Sequence, residues 1–396
     1  MFEILQIKQM KGFHCTGKDC IDTCCHTWSI NINKSTYKKY KKNKDIDMNN
    51  FKIIDKHDSS RYASIKLNSE GYCPFLCTDG LCDIHKKYGD KYLGEVCKMY
   101  PKQIIKFNNF IEKTFLLSCP SAVDMLFSSN EPLEFDLDEN PNKVTYITGQ
   151  KDVTDSEILN ADSYFLFRSI SISILQNRKV TLEKRLYRLA KLCDIVQNLI
   201  ESGYKDTEIE AFLLEIKDSS GEEEYLNKEE IRQNNIEGKY EVIQKLLKLF
   251  DEMLIKGICK NKNGFGKYID NRLSEIDSIS LGSIKYFNEN ILNNYFKENE
   301  FILENYLVYN VFQNVFPKGR KNLTTVYKEI INNLFIMQLF IIMLYTDNTK
   351  LELEQIKNAI YFYERQIHHS EINKLLLNNL NTSLKLDWMT SIDMIF

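Results

Sequence analysis

Residues 13–28 read Phe-His-Cys-Thr-Gly-Lys-Asp-Cys-Ile-Asp-Thr-Cys-Cys-His-Thr-Trp, and this stretch decides the fold of the first part of the chain. Four of these residues are cysteines. Working outward, nine of the eleven cysteines in the 396-residue chain precede residue 120. They are Cys15, Cys20, Cys24, Cys25, Cys73, Cys77, Cys82, Cys97 and Cys119. This density predicts a small region organised around bound metal.

Three kinds of thiol chemistry compete for these cysteines. Disulfides are disfavoured by the odd count and by the adjacent pair Cys24-Cys25. Zinc suits thiolates with His14, His26 and His85 nearby, but the Cys-x2-Cys spacing common in zinc modules is missing. An iron–sulfur cluster needs four thiolates, which irregular loops can supply. We favour the cluster, and the spacing leaves open one cluster, two clusters, or one cluster with zinc.

Composition and charge describe an ordinary globular protein. The chain is 43% hydrophobic and 27% charged. Residues 1–127 carry 20 basic against 14 acidic residues, whereas the remaining 269 carry 32 against 41. The acidic second part argues against nucleic-acid binding, which needs a concentrated basic face. It suits a partner that offers lysines, and it equally describes a solvated surface without a partner.

Targeting and membrane signals are missing from the sequence. The first residues lack the basic and apolar regions of a signal peptide. The longest apolar run, Leu334 to Tyr345, contains Gln338 and is too short to span a bilayer. We therefore expect a buried core helix, no membrane contact and a cytoplasmic location, where thiols stay reduced.

The pattern of the chain predicts a mostly α fold in two parts. We expect a cysteine-rich metal domain with short β elements over residues 1–127, including a hairpin that turns at Asn108-Asn109. Residues 128–154 form an acidic linker or irregular strands, and 155–396 an all-helical domain. Leu182, Leu186 and Leu189 mark one buried helical stripe. Helices are predicted over 155–177, 206–217, 270–295, 298–315, 322–346 and 349–377. Cys193 and Cys259 are expected to be inert core residues.

Several common catalytic motifs are missing from the sequence. No Gly-x-Gly-x-x-Gly lies between a strand and a helix, and no P-loop occurs. The Cys-x3-Cys-x2-Cys triplet of radical enzymes is also missing. The residues alone therefore indicate a metal-binding domain joined to a helical domain.

At the same cysteines, the sequence resembles the flagellin lysine-N-methylase family, part of a wider group of cysteine-rich zinc- or iron-chelating proteins. The likeness begins with Phe13 to Trp28 and continues through Tyr37 and Tyr40. The further motifs, in order, are Cys73-Pro-Phe-Leu, Gly80-Leu-Cys-Asp-Ile, Leu93-Gly-Glu-Val-Cys, Tyr100-Pro, Leu117-Ser-Cys-Pro, Glu304-Asn-Tyr-Leu, Phe316-Pro and Arg365-x3-His369-Ser. The resemblance therefore covers nearly the whole chain.

The resemblance implies a specific activity and a specific ligand set. Such enzymes transfer methyl from S-adenosylmethionine to lysine ε-amines of flagellin, and a [4Fe–4S] cluster is associated with them. The implied metal cysteines are Cys15, Cys20, Cys24, Cys25, Cys73, Cys82, Cys97 and Cys119. Cys77 stands where the family requires no cysteine, Lys102 where we expect arginine, and His368 where we expect an acid. The substrate is then flagellin or another lysine-bearing protein.

Methyl transfer requires a neutral lysine amine, which burial or a nearby base favours. His369 and Glu364 are the candidates for that role, and Trp28 and Tyr100 are candidates to stack on the cofactor. Each of the four has a simpler interpretation as a structural residue. The rival function is a non-enzymatic zinc- or iron-binding module whose helices mediate protein interaction.

Overall fold

A computed structural model of the protein describes most of the chain. The described residues are 3–26, 28–56, 58–107, 110–138, 147–151, 159, 161–217, 239–257, 265–313, 322–368, 370–383 and 388–396. The fold is mostly α-helical, as the sequence predicts, and the strands of the described residues all lie before residue 152. His369, Cys259, Phe316 and the hairpin turn at Asn108-Asn109 lie outside the described residues.

A five-stranded sheet forms the base of the first part. Its strands are β1 (Glu3–Ile7), β5 (Lys102–Phe107), β6 (Phe110–Phe115), β7 (Phe135–Asp138) and β8 (Gly149–Lys151). They are ordered β7-β1-β6-β5-β8. Strands β5 and β6 pair antiparallel from Lys102↔Phe115 to Phe107↔Phe110, which confirms the two predicted strands of the hairpin. Strand β6 is central, and β1 lies beside it, parallel to β6 and antiparallel to β7.

A smaller sheet and a separate apolar core support the cysteine loops. Strands β2 (Asn31–Ile32), β4 (Ala63–Ile65) and β3 (Phe51–Ile53) pair antiparallel in the order β2-β4-β3. A short basic helix spans Lys34–Lys41, and the Asn33 side chain caps it by accepting from the Thr36 amide at 2.7 Å. Cys73 is buried in the same core as Tyr40. The cysteine loops and this core are therefore one packed unit.

Short helices complete the first part, at Asp83–Tyr88, Glu95–Met99 and Pro120–Leu126. The predicted linker contributes β7 and β8 to the large sheet, so it is ordered where it is described. The boundaries at 127 and 154 stay a prediction.

The second part is a stack of helices. Their bounds are Ala161–Leu175, Leu182–Glu201, Asp206–Lys217, Lys239–Gly257, Phe265–Glu275, Leu281–Tyr286, Asn293–Glu298, Glu300–Gln313, Leu323–Tyr345, Leu353–Phe362, Glu371–Ser383 and Trp388–Ile395. Leu182, Leu186 and Leu189 are buried, as their spacing predicts, and Cys193 is fully buried beside them.

Two predicted helices are interrupted in the structure. The helix predicted over 270–295 changes to a 3-10 turn at Ile276–Ser278 and starts again after Ser280, whose hydroxyl accepts from the Ser283 amide. The helix predicted over 349–377 widens into a π-helical turn at Tyr363–Ile367. Such π-helical turns insert an extra residue and are frequent at functional sites.

The central helix, Leu323–Tyr345, is longer than the apolar run that predicted it. By length and composition it could cross a membrane, but 83% of its apolar window is buried inside the fold. Surrounding helices cover it, because it packs against Leu182–Glu201, Leu353–Phe362 and Trp388–Ile395. This is the environment of a core helix in a globular protein.

A buried ion pair joins the helices to the large sheet. The Arg168 guanidinium lies against the Glu112 carboxylate of β6, and both side chains are only 4% exposed. The guanidinium also lies 4.9 Å from the centre of the Phe312 ring. The sheet and the helical stack are therefore fixed to each other by contacts that exclude water.

Candidate metal centre and adjoining cleft

The cysteine thiols fall into two groups, and within each group the thiols shift one another's pKa. The first group contains Cys24, Cys25, Cys73, Cys82 and Cys97. The Cys24 and Cys25 thiols lie close enough to shift each other's pKa, and the Cys73 thiol raises the pKa of Cys25. Backbone pairing produces this arrangement, since the Cys73 amide donates to the Cys25 carbonyl at 2.8 Å.

The second thiol group contains Cys15, Cys20 and Cys119. Cys119 precedes the helix Pro120–Leu126, and the Cys15 sulfur accepts from the Gly17 amide at 3.4 Å. Tyr100 lies near both groups, because Cys119 of the second group and Cys24 of the first each raise the pKa of its hydroxyl. The structure thus distributes the eight predicted metal cysteines over two neighbouring sets.

The first group's thiols hold their protons tightly. The neighbouring Cys25 thiol, followed by burial, raises the pKa of Cys24. Cys24 lowers the pKa of Cys25, but Cys73 and burial outweigh it and raise that pKa to about 12. Burial raises the pKa of Cys97. A metal ion binding here would have to displace these protons, so its binding would be coupled to proton release.

The donor type fits a soft metal, although the thiols are not arranged as a finished site. All ten cysteines that the structure describes are free thiols. Among the described residues, no three cysteine, histidine or carboxylate side chains converge as a ready site for one ion. Thiolates select zinc and iron–sulfur clusters over magnesium or calcium. The chain therefore supplies donors of the type that a soft metal prefers.

A cleft of about 630 Å³ adjoins both thiol groups. Its lining residues come from the loop around Cys20, from the loop after Asn68 and from the helix that ends at Phe362. They are Gly17, Lys18, Cys20, Ile21, Asp22, Thr23, Asn68, Tyr72, Cys73, Pro74, Leu76, Cys77, Thr78, Gly80, Tyr361 and Phe362. The cleft is therefore built jointly by the first part and the helical part.

Two side chains of the helical part hold the cysteine loop. The Tyr361 hydroxyl donates to the Asp22 carboxylate. The Arg365 guanidinium donates to the carbonyls of Thr23, at 2.5 Å, and His26, at 3.3 Å, and it pairs with Asp22 at 3.5 Å. Arg365 is only 8% exposed. These two residues were not assigned a role from the sequence, although Arg365 belongs to the motif that carries the family resemblance.

Glu364 lies in a buried polar network and does not line the cleft. Its carboxylate accepts from the Tyr306 hydroxyl at 2.5 Å and contacts His368 Nδ1 at 2.8 Å. Burial lowers the pKa of His368, but the charge of Glu364 and the hydrogen bond outweigh it and leave that pKa raised. His368 also stacks on the Tyr363 ring. The role of Glu364 as a base stays a prediction, and His369 lies outside the described residues.

Trp28 and Tyr100 contact each other beside the cleft. Their ring centres are 5.6 Å apart, and the Tyr100 hydroxyl donates to the Ser118 carbonyl at 2.6 Å. The Trp28 indole donates to the Cys24 carbonyl at 2.5 Å. Both rings thus support the thiol loops, and their role in cofactor binding stays a prediction.

The fold and site define a class of mostly helical proteins whose carboxyl-terminal helices hold an amino-terminal thiol centre. Residues 168–392 match the family model described as the FliB lysine N-methylase C-terminal domain. The chain belongs to the FliB lysine N-methylase family, and its class is that of a protein-lysine methyltransferase. Membership favours the enzyme over the non-enzymatic module.

Individual relatives extend the similarity over nearly the whole chain. The chain is 24% identical over 395 residues to a lysine-N-methylase of Salmonella typhimurium, with 93% of each chain covered. The lysine-N-methylase of Salmonella choleraesuis gives the same values. The flagellar biosynthetic protein FliU of Salmonella muenchen is 34% identical over 125 residues, which are 30% of this chain and 73% of FliU. No solved structure matches the chain.

Proposed function

We propose that the protein methylates lysine ε-amines of flagellin with S-adenosylmethionine as donor, and that its cysteines hold a [4Fe–4S] cluster. The proposal rests on two findings together: the chain has a thiol-rich centre, and it is similar over nearly its whole length to lysine-N-methylases. The flagellar name of FliU supports flagellin as the substrate. Zinc is the alternative metal, since the same thiolates suit it.

The cysteines of the first group are the proposed holders of the cluster, because their thiols act on one another and four of them lie in or against one apolar core. Cys24, Cys25 and Cys73 form the linked series, and Cys82 and Cys97 act on it. Cys15, Cys20 and Cys119 could hold a second ion or complete the first centre. Cys77 donates to the Asp83 carboxylate at 3.9 Å, so its thiol has another partner.

S-adenosylmethionine supplies a methyl group on a positively charged sulfur. The lysine nitrogen bonds to this methyl carbon, the carbon–sulfur bond breaks towards sulfur, and the amine loses one proton. The amine must be neutral for this step. The protein therefore has to accept the proton of the lysine ammonium group or bury that group away from water. The acidic balance of residues 128–396 would attract a lysine-rich substrate surface, and a cytoplasmic location would let the enzyme meet its substrate before export.

The test is transfer of labelled methyl from S-adenosylmethionine to purified flagellin by anaerobically purified, metal-replete protein. We expect label on flagellin lysines, located by mass spectrometry, and visible absorbance typical of an iron–sulfur centre. Flagellin with its lysines acetylated beforehand is the control and should stay unlabelled. No transfer by a metal-replete sample would refute the proposed reaction, and a colourless, zinc-loaded active sample would refute the cluster alone.

A further inference from the structure

The helix Lys34–Lys41 presents a side made of lysines to solvent. Six of the eleven residues from 34 to 44 are lysines, and none of the eleven is acidic. Residues three and four positions apart lie on one side of a helix. Four lysines of the helix and its cap have this spacing and are exposed together, and we call them the basic face: Lys34, Lys38, Lys41 and Lys42.

The charge of the basic face is not neutralised within the described part of the chain. None of its four ammonium groups forms an ion pair with a carboxylate there. The first acidic residue that follows, Asp45, accepts a hydrogen bond from the Tyr88 hydroxyl at 2.8 Å. More positive charge lies beside the face, because Lys39 donates to the Lys91 carbonyl at 2.9 Å. Burial and then the charge of Lys98 lower the pKa of Lys39. The helix therefore has an excess of positive charge that faces solvent.

The stability of the helix does not account for this arrangement. Lys38 repels both Lys34 and Lys42, because like charges four residues apart destabilise a helix. Lys34 also lies at the first helical position, where the helix dipole disfavours a cation. The helix is held by its other side, where Tyr40 is buried and donates to the Tyr92 carbonyl at 2.8 Å. Binding of an anionic partner would explain why the lysines are grouped here.

The basic face lies on the outside of the core that supports the first thiol group. Tyr40, on the buried side of the same helix, belongs to one apolar core with Cys73. Three further thiols of that group pack against this core, at Cys25, Cys82 and Cys97. A protein bound to the basic face would therefore be held beside the proposed cluster.

We propose that the basic face docks an acidic surface of the flagellin substrate, an inference that rests on the proposed function. The four ammonium groups would pair with carboxylates of the substrate and speed its association. The target lysine itself would be repelled by the basic face. The face therefore holds the substrate, and the methyl transfer takes place elsewhere.

Two other anionic partners fit the surroundings of the basic face less well. A nucleic acid would extend beyond an eight-residue helix, which is only about 12 Å long. Residues 128–396 carry 32 basic against 41 acidic residues, and this balance repels a long polyanion. A membrane surface needs apolar anchors beside the lysines, whereas the exposed residues of this helix are lysines and Ser35. A compact acidic surface of a protein avoids both difficulties.

The test is interferometry with the full-length, anaerobically purified protein on the sensor and purified flagellin in solution. The combined variant Lys38→Glu, Lys41→Glu and Lys42→Glu reverses most of the charge of the basic face. We expect it to slow flagellin association about tenfold at about 0.05 M salt. The difference from the wild type should largely vanish at about 0.5 M salt, because salt screens exposed charges.

Two further variants control for net charge and for folding. Lys205→Glu, Lys217→Glu and Lys297→Glu together change the net charge equally at exposed positions of the helical part, and this variant should associate at the wild-type rate. The corresponding glutamine variant of the basic face removes charge without reversing it, and it should slow association about threefold. Iron content and circular dichroism of each variant should match those of the wild type.

Wild-type association in the glutamate and glutamine variants of the basic face, or equal slowing in the control variant, would overturn the docking face. Methyl transfer to flagellin by the wild type would then leave the proposed function standing. Binding of a single-stranded RNA oligonucleotide or of phosphatidylglycerol vesicles that needs these lysines, while flagellin binding does not, would also overturn it. A wild-type protein that neither binds flagellin nor transfers methyl to it would instead remove the proposed function itself.

Discussion

The Arg365 guanidinium donates a hydrogen bond to the Thr23 carbonyl at 2.5 Å, between positions 342 residues apart. Thr23 directly precedes Cys24, so this contact fixes the cysteine loop from the helical part. Arg365 lies on the π-helical turn Tyr363–Ile367, and this turn places the arginine side chain against the cysteine loop. The shape of the cysteine loop thus depends on the carboxyl-terminal helices.

We predict that Arg365→Gln loosens the cysteine loop and lowers metal content. The substitution leaves Asp22 without its buried cationic partner, and breaking such a pair costs about 3 kcal/mol or more. Iron and sulfide per chain should fall, and the thermal midpoint should fall with them. Arg61→Gln, at an exposed position near the small sheet, is the control. Full metal content in Arg365→Gln would show that the loop holds its shape alone.

The cysteines should differ in their effect on metal binding. Cys25→Ser removes the middle thiol of the linked series, so we expect loss of most visible absorbance and bound iron. Cys77→Ser should keep both, because its thiol bonds to Asp83. Cys193→Ser, in the helical core, should also keep the metal, although it will lower stability. Metal analysis of the three variants compares them directly; equal loss in Cys77→Ser would contradict the assignment.

Stability should decline as pH rises, because the buried pair of His368 and Glu364 loses the charge of its histidine. The pKa of His368 is raised in the folded protein above its unfolded value of about 6.5. The pair's contribution is therefore complete below that value and is lost as pH rises through the folded-state pKa. The thermal midpoint of the wild type should fall more between about pH 6 and pH 9 than that of His368→Gln. His14→Gln, at an exposed position, should behave as the wild type does. Parallel pH profiles for wild type and His368→Gln would exclude the effect.

Glu304 should be a major determinant of stability. Its fully buried carboxylate accepts from Arg178 at 2.8 Å and from Arg185 at 2.8 Å. Glu304→Gln leaves the buried Arg185 undercompensated, and we expect a loss of about 3 kcal/mol in unfolding free energy. Denaturant unfolding measures it, with the exposed Glu298→Gln as the matched control. Arg185 also pairs with the Glu300 carboxylate, so a change within about 0.5 kcal/mol would show that Glu300 compensates fully.

The sequence was informative where burial within one element decides the structure. The spacing of Leu182, Leu186 and Leu189 predicts a helix that is present, and the β-rich runs around Asn108-Asn109 predict the two paired strands. Cysteine density predicts the thiol-rich region. The residue types of the candidate donors can therefore be read from the sequence.

Contacts between distant elements could not be predicted in the same way. Nothing near Arg365 indicates that its guanidinium reaches Thr23, because periodicity records which face is buried and not what lies against it. The distribution of Cys20 and Cys73 over two groups depends on how the loops close on the helices. The π-helical turn likewise follows from packing, since no proline or glycine within Tyr363–Ile367 marks it.

The contact between Arg365 and Thr23 also has a consequence for how the protein is synthesised. A ribosome adds residue 365 long after Cys24 and Cys25 have emerged, so the nascent loop lacks its anchor throughout most of translation. If the cysteines hold a metal as proposed, its delivery to a properly shaped loop follows synthesis of the late helices. A chain that ends before residue 365 would carry the cysteines without the arginine that fixes their loop.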